Sequence, residues 1–213
     1  MDALPVPIVL GSRSAQRLAL LRQLIPEDRI TVCPPRSSDE QEFDGLRTWE
    51  EIETRLQDIA REKCTDVVEQ CQGRGENCLV LTADTTIVAN GKDHAIVLGQ
   101  PPEPDWRETA KFWFENYLLG KTHRAATAVC LSELSGKRIE RVAVSEVTFS
   151  SNAGHLLEWY LDTEEPRGKA GGYGIQGAGS VFVTELKGSL SNVIGLPLKE
   201  IWEMFEELQV NWR

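Results

Sequence analysis

A carboxylate and two hydroxyl groups interrupt an otherwise apolar segment near the middle of the sequence. Asp84, Thr85 and Thr86 lie within residues 79–91, which are mostly strand-forming and end in an Asn-Gly pair. The apolar runs on either side of the polar residues predict two short strands. An ionised carboxylate near a core is costly unless it is paired, hydrogen-bonded or bound to a metal. Asp84 is therefore a candidate for catalysis or metal binding, and a turn or cap aspartate at a strand end is the alternative.

A loop with one glycine and two serines follows the first apolar run of the chain. Gly11, Ser12 and Ser14 separate residues 6–10 from leucines at helical spacing, which predicts a strand, a loop and a helix. Ser14 can cap this helix, and Ser12 would face its N-terminus. Such helix N-termini bind anions, although one glycine is a weak signal. Taken alone, Arg17 in the first turn is typical of a solvated surface arginine.

A glycine-rich segment near the C-terminus is the second place where the residue types suggest ligand binding. Six glycines fall within residues 164–179 and are interleaved with Lys169, Tyr173 and Gln176. Glycines permit positive φ angles and close backbone approach to a ligand, and the lysine can supply charge to a phosphate. A flexible loop is the alternative. The spacing of the three polar side chains favours ligand contacts over linker sequence.

The elements around these candidates are predicted by local signals. Thr48 and Glu51 form a capping box that opens a long helix to about Cys71, and Lys63 lies near its apolar face. A lysine in such a place ordinarily extends its charge to solvent. The preceding acidic stretch, residues 38–45, is either a solvated loop or a source of carboxylates for a hydrated divalent cation.

The second half of the chain is predicted to alternate helices and strands. Asp105 and Glu108 suggest another capping box. Residues 122–131 and 141–149 have the alternating, β-branched character of an antiparallel pair of strands. Residues 189–192 are interpreted as a turn. No internal repeat or linker divides the 213 residues, whose hydrophobic fraction of 41% and charged fraction of 26% are ordinary for a globular chain.

The charge of the chain argues against one class of partner. With 23 Lys plus Arg against 33 Asp plus Glu, the formal net charge is −10 at pH 7. An acidic surface repels the phosphates of nucleic acids, and no run of basic residues with interleaved aromatics offers an exception. We therefore expect no nucleic-acid polymer as a partner. Small anions remain compatible with this composition, because a few converging cationic groups create a local positive cleft.

Cysteine usage and hydropathy indicate the compartment. The chain has five cysteines, an odd number, and no Cys-x-x-Cys pair, so neither a disulfide framework nor a structural zinc site is predicted. Cys64 and Cys71 share a face of the long predicted helix and are interpreted as small core residues. No apolar run approaches the ~20 residues of a membrane span. We expect a soluble, cytoplasmic protein in a reducing environment, with no membrane partner.

Several short motifs occur in a fixed order along the chain. They are Ala-Asp-Thr at 83–85, Leu-Gly-Gln-Pro at 98–101, Gly-Lys-Thr-His at 120–123 with Thr-Ala-Val at 127–129, Lys-Ala-Gly-Gly-Tyr-Gly-Ile-Gln-Gly at 169–177, and Val-Ile-Gly-Leu-Pro at 193–197. Taken together and in this order, these motifs resemble the Maf family of nucleoside triphosphate pyrophosphatases, also described as septum-formation-inhibitor-like proteins. The resemblance covers nearly the whole chain, and the Tyr-Gly-Ile-Gln-Gly form is similar to the branch that acts on dTTP and UTP.

The resemblance implies a fold and a reaction. The expected fold is a two-lobed α/β structure around a long, strongly curved mixed β-sheet, with flanking helices and a nucleotide-binding cleft between the lobes. Residues 1–213 would form a single domain. The expected reaction is hydrolysis of a nucleoside triphosphate between the α and β phosphates, with magnesium or manganese as the divalent cation. A homodimer is expected from the resemblance alone.

The resemblance also implies the site residues. Asp84 matches the catalytic aspartate, which orients a water and accepts its proton, and Asp84 and Glu40 are expected to bind the metal. Thr85 and Gln176 match positions associated with base preference. The full set of expected substrate-binding residues is Ser12, Ser14, Gln16, Arg17, Lys63, Thr85, Lys169 and Gln176.

Two positions depart from the family pattern. Gln16 stands where the pyrimidine branch commonly has the first of two arginines, and Gln100 replaces the lysine of a Gly-Lys-Pro motif. Arg13 and Lys92 are nearby in sequence and are candidates to compensate. These changes keep open a catalytically weak, division-related nucleotide-binding regulator, and a third alternative is a pyrophosphatase that prefers a modified purine. Gln176 within its Ile-Gln-Gly context argues against the purine.

Overall fold

The computed structural model describes residues 6–36, 43–73 and 78–209, and these ranges form alternating strands and helices. The strands are β1 (Ile8–Leu10), β2 (Ile30–Val32), β3 (Leu79–Asn90), β4 (Ala95–Leu98), β5 (Thr122–Glu133), β6 (Arg138–Phe149) and β7 (Val183–Lys187). The helices are α1 (Ala15–Leu21), α2 (Trp49–Gln72), α3 (Trp106–Trp113, continued by a π-helical turn at Phe114–Leu118), α4 (Leu157–Asp162), α5 (Leu190–Ile194) and α6 (Leu198–Leu208).

These strands form one mixed sheet within the described ranges. Its order is β2-β1-β3-β5-β6-β7, and β4 pairs with the C-terminal end of β3. β1 is parallel to β2 and β3, because α1 and α2 provide the crossover connections that parallel strands need. The pairs β3–β4, β3–β5, β5–β6 and β6–β7 are antiparallel. The predicted mixed α/β architecture is confirmed.

The strand β3 has an open stretch along one edge. On that edge, β1 pairs with residues 79–81 and β4 pairs with residues 87–90, which leaves residues 82–86 without a strand partner in the described structure. The prediction of two short strands is wrong, since β3 runs unbroken through the polar residues. It is continuous because β5 stays in register along the other edge, with Asp84 opposite Ala128.

Three clusters of buried apolar side chains hold helices against the sheet. One lies between the sheet and the helices α1 and α6. Another lies between α2 and the opposite face of the sheet. The third packs α3, α4 and the glycine-rich segment against the other ends of β3, β5 and β6, around the rings of Phe114, Phe149, Tyr160 and Phe182. The long central strands therefore connect two packed regions. The first contains the clusters on the two faces of the sheet beside α1, α2 and α6, and the second contains the cluster around α3 and α4. That all 213 residues form a single domain stays a prediction.

Local signals located some element ends correctly and others wrongly. The Thr48–Glu51 capping box opens α2, with Thr48 and Glu51 bonding reciprocally through side chain and backbone. The second predicted box is wrong, because the backbone of Asp105 is not extended and its side chain makes no capping bond. The predicted turn at 189–192 is instead the start of α5, capped by Ser189.

The cysteines occupy the interior, which confirms the prediction of core positions for Cys64 and Cys71. All five are buried, and none of them forms a disulfide bond with another described residue. All five also belong to the cluster between α2 and the sheet. In the ranges that the structure describes, no helix has the length and apolar character needed to cross a membrane.

Candidate active site

A large cleft opens where the two packed regions meet, along the open edge of β3. Its volume is about 1340 Å³, more than the usual range for a small-molecule site. Its lining includes the loop before α1, the open edge of β3, β4 and the glycine-rich segment, together with Lys63 of α2 and residues 193–195. The cleft therefore collects the segments that carry the candidate residues, although they lie far apart in the sequence.

A nearly buried ion pair lies on the α2 side of β3. The helix is bound to the strand by the hydroxyl of Thr82, which donates to the carbonyl oxygen of Ala60 at 2.7 Å. One turn further on, the Nζ atom of Lys63 lies 2.5 Å from Oδ1 of Asp84. Asp84 is only 8% exposed. The ammonium group thus offsets the cost of holding a carboxylate at the edge of the core.

Arg17 lies on the opposite face of β3, because successive side chains of a strand point to opposite sides. Its Nη2 donates to Oγ1 of Thr85 at 3.1 Å, and its Nε donates to the carbonyl oxygen of Gly195 at 2.9 Å. The Thr85 hydroxyl also bonds the hydroxyl of Thr127, 3.0 Å away. Arg17 is therefore a fixed part of the cleft wall, and the interpretation of Arg17 as a solvated surface arginine is wrong.

Two serines organise the loop before α1, and the predicted cap by Ser14 is confirmed. The Oγ of Ser14 accepts a hydrogen bond from the backbone N–H of Arg17 and caps the helix. The Oγ of Ser12 accepts from the backbone N–H of Ser14 at 3.1 Å and from Arg17 at 3.4 Å. Gln16 is exposed, and its Oε1 accepts from the Ser14 hydroxyl. Ser12 itself is buried, and its contact with Arg17 links the loop to the first turn of α1.

The glycine-rich segment forms the wall opposite this loop. Gly171 has a φ angle of 69° and lies so close to β3 that a Cβ atom would come within 2.8 Å of the Ile87 side chain. Only glycine fits such a position without displacement. Lys169 donates from Nζ to the carbonyl oxygen of Glu165 at 2.8 Å. Gln176 is exposed along the cleft.

The structure brings together all of the expected site residues that fall in its described ranges. These residues, each lining the cleft, are Ser12, Ser14, Gln16, Arg17, Lys63, Asp84, Thr85, Lys169 and Gln176. Glu40 lies outside the described residues. Of the two candidates to compensate for missing charge, Arg13 lines the cleft and donates to the Pro35 carbonyl oxygen at 2.9 Å, whereas Lys92 is not part of the lining.

A buried histidine contacts Tyr173 in the cleft wall, and sequence analysis did not identify it as a functional candidate. His123 of β5 is 1% exposed, and its Nε2 lies 2.8 Å from the hydroxyl of Tyr173, a cleft residue. Its Nδ1 is buried with no hydrogen-bond partner among the described residues. Burial lowers the pKa of His123 to about 4 and raises the pKa of Tyr173. Both rings are therefore neutral at pH 7, and the motif at 120–123 was the sequence signal that contained this histidine.

The donor set around Asp84 fits a hard divalent cation held mainly by substrate. Among the described residues, no group of three or more His, Cys, Asp or Glu side chains could hold a metal. Asp84 nevertheless supplies a carboxylate inside the cleft, beside the hydroxyls of the same strand. Magnesium-type cations commonly take one or two carboxylates and complete their shell with water and substrate phosphates. One carboxylate therefore fits such a cation but would not form a complete protein cage.

The fold and the cleft together define the class of this molecule. It is a mixed α/β protein in which Asp84 of β3 pairs with Lys63 of α2 on one face of the strand, and Thr85 bonds Arg17 of α1 on the other. The family model described as Maf-like protein matches residues 7–208. The chain therefore belongs to the Maf-like family.

Three relatives named dTTP/UTP pyrophosphatase align with most of the chain. The protein of Clostridium novyi (strain NT) is 32% identical over 205 residues, which cover 96% of this chain and 98% of the relative. The protein of Pyrococcus furiosus is 34% identical and covers 93% and 94%, respectively. The protein of Anaeromyxobacter dehalogenans (strain 2CP-1) is 36% identical and covers 91% and 89%. Each of these similarities thus spans more than nine tenths of this chain.

Proposed function

We propose that this Maf-like protein is a nucleoside triphosphate pyrophosphatase that acts on dTTP, UTP and related or modified pyrimidine nucleotides. Its relatives carry the name dTTP/UTP pyrophosphatase. The observation that carries the proposal is the nearly buried pair of Asp84 and Lys63 at the open edge of β3. The same cleft contains Arg17 and Lys169, as a densely charged triphosphate requires.

The proposed reaction breaks the bond between the α-phosphorus and the oxygen that bridges to the β-phosphate. A water oxygen attacks the α-phosphorus, pyrophosphate leaves with the bridging oxygen, and the nucleoside monophosphate remains. Asp84 accepts the proton of the attacking water, and a general base of this kind typically contributes on the order of 10²–10⁴-fold in rate. Lys63 holds the carboxylate in position through its 2.5 Å contact and adds positive charge beside the phosphates.

The metal requirement belongs to the same proposal. When bound, magnesium or manganese neutralises phosphate charge and polarises the phosphoryl oxygens. We assign Asp84 and Glu40 as the protein residues that hold this cation, with substrate phosphates supplying further oxygen ligands. Arg17, fixed by Thr85 and Gly195, and Lys169 contact the remaining phosphate oxygens.

The preference for pyrimidines is assigned mainly to Gln176. Its amide offers one acceptor and two donors, which suits the alternating acceptor, donor and acceptor groups on the edge of uracil or thymine. The side chain is exposed along the cleft wall and is therefore available to a base. Thr85 contributes indirectly, because its hydroxyl is already bonded to Arg17 and Thr127. Ser12, Ser14 and Gln16 are assigned to the substrate at the start of α1.

A nucleotide-binding protein with little turnover is the second candidate. Gln16 and Gln100 both line the cleft, and both are neutral where the resemblance leads us to expect an arginine and a lysine. Compared with the family pattern, the cleft therefore lacks positive groups at these two positions to stabilise charge in the transition state. Such a protein would bind nucleotide through the same walls without rapid release of pyrophosphate.

The deciding experiment measures pyrophosphate release from a panel of standard and methylated nucleoside triphosphates, with magnesium or manganese. We expect release from dTTP or UTP, and a loss on the order of 10²–10⁴-fold in Asp84→Asn, which keeps the shape of the side chain but removes the base. Asp93→Asn is the matched control, because Asp93 is exposed and is not part of the cleft lining. Nucleotide binding without release from any triphosphate would instead establish the second candidate.

A further inference from the structure

A carboxylate beneath the glycine-rich segment has no role in the chemistry described above. Glu165 follows α4, and its Oε2 accepts a hydrogen bond from the backbone N–H of Ala178 at 2.7 Å. Its Oε1 accepts from the backbone N–H of Gly179 at 3.0 Å and from the Tyr160 hydroxyl at 3.3 Å. A carboxylate has only acceptors, and here two successive backbone N–H groups each donate to one of its oxygens, while the Tyr160 hydroxyl shares its proton between Glu165 and the Gly172 carbonyl oxygen.

The glycine-rich segment wraps closely around this carboxylate. A Cβ atom at Gly174 would come within 2.9 Å of Oε1 of Glu165, and one at Gly177 within 2.2 Å of Oε2. Both distances are too short for a side chain, so the carboxylate occupies space that is free only because these positions are glycine. The backbone on both sides of Gln176 is therefore in close contact with the Glu165 carboxylate.

Glu165 also binds the side chain of Lys169, which lies in the same glycine-rich segment. The carbonyl oxygen of Glu165 accepts from Nζ of Lys169 at 2.8 Å. Its carboxylate binds the N–H groups of the second and third residues after Gln176. Backbone and side chain of one glutamate thus set the positions of the lysine assigned to the phosphates and of the amide assigned to the base.

We propose that Glu165 is a positioning residue that sets base discrimination by fixing the backbone around Gln176. This inference rests on the proposed function, because it concerns how the same cleft distinguishes pyrimidine from purine triphosphates. The Gln176 side chain makes its selective contacts only while the Glu165 carboxylate holds the backbone N–H groups of Ala178 and Gly179. Loss of the carboxylate lets this backbone relax, and the amide then contacts either base class with similar affinity.

The test compares kcat/KM for dTTP with kcat/KM for dGTP, since their ratio is insensitive to the fraction of folded enzyme. In Glu165→Gln, a side-chain amide of the same shape turns an N–H₂ group toward one of the backbone donors, so at least one of the two backbone contacts is lost. We expect the dTTP/dGTP ratio to fall about tenfold, which corresponds to the loss of one net hydrogen bond. Glu158→Gln is the control, because Glu158 is an exposed residue of α4 that pairs with Arg107 and Lys111. Its ratio should equal that of wild type.

Two further variants separate positioning from general damage. Gly177→Ala places a methyl group against the carboxylate, and we expect it to lower the ratio in the same direction even if Glu165→Gln fails to fold. Gln176→Ala should lower the ratio directly, and Glu165→Gln added to it should cause little further loss, because both changes act on one interaction. A ratio unchanged in both Glu165→Gln and Gly177→Ala, or losses that add fully in the double variant, would overturn the inference.

The two proposals fail in different ways. If wild type releases no pyrophosphate from any triphosphate, the proposed function is wrong, and the same ratio is then taken from the dissociation constants of dTTP and dGTP. A fall of that binding ratio in Glu165→Gln and Gly177→Ala would still support the positioning role. A wild-type protein that does not distinguish the two nucleotides in turnover or binding would refute the role of Glu165.

Discussion

The buried His123 should make the stability of the protein depend on pH well above the range where carboxylates titrate. Burial lowers the pKa of this imidazole from 6.5 to about 4. Between these values the unfolded chain binds a proton that the folded chain does not, so the free energy of unfolding falls as the pH is lowered. With these two pKa values, the loss between pH 7 and pH 5 is about 2 kcal/mol. Stability is regained as the pH rises through 6.5.

The structure explains why the folded protein does not accept this proton. A charged imidazole needs hydrogen-bond partners for two N–H groups, but the Nδ1 of His123 is buried without one among the described residues. The Nε2 atom already faces the Tyr173 hydroxyl at 2.8 Å, and the flanking rings of Phe149 and Tyr173 offer no compensating negative charge. Protonation would therefore leave a buried charge without a partner.

Urea unfolding of wild type and His123→Gln at pH 7, 6 and 5 measures this effect. The variant changes stability at every pH, so the informative quantity is the difference between pH 7 and pH 5, which should be about 2 kcal/mol smaller in His123→Gln. His155→Gln is the control, because His155 is exposed and should leave the pH dependence as in wild type. An equal pH dependence in wild type and His123→Gln would refute the reasoning, and so would a loss of pH dependence in His155→Gln.

Two further predictions concern the cleft. Arg17→Lys keeps the charge but cannot reproduce the fork that reaches both Thr85 and Gly195, so we expect a loss of about 2 kcal/mol in urea unfolding and a raised KM. Arg22→Lys, which alters an exposed ion pair with Glu27, should change neither quantity, and equal effects in both variants would contradict the role of Arg17. Glu40→Gln should sharply raise the magnesium concentration needed for half-maximal pyrophosphate release, and an unchanged magnesium titration would remove Glu40 from the metal site.

Structural features that depend on residues close together in the sequence could be predicted from it. The Ser14 cap and the Thr48–Glu51 box were predicted correctly, because each depends on residues three apart in the sequence. The antiparallel pair β5–β6 was also predicted, since alternation and a turn are local patterns. Local reading failed at Asp105, where the cap residues are present but the backbone conformation that capping requires is absent.

Side-chain partners could not be derived in this way, because they depend on how distant segments pack. Lys63 looked like a lysine at the edge of an amphipathic helix, yet it binds Asp84 from 21 residues away. Arg17 looked solvated, yet it bonds Thr85 and the carbonyl oxygen of Gly195, which lie 68 and 178 residues further along the chain. No periodicity within a helix or strand contains such information.

The mixed α/β composition, the acidic character and, through the resemblance to a family, the candidate residues of the cleft could be predicted from the sequence. Tertiary packing was needed to show that β3 is one strand, that Asp84 and Thr85 lie on opposite faces of it, and that Glu165 and His123 bond to the glycine-rich segment. Element formation follows local propensity and periodicity, and both are visible in the sequence. The orientation of a polar side chain follows instead from the partner that can offset its burial, and the fold alone brings that partner near.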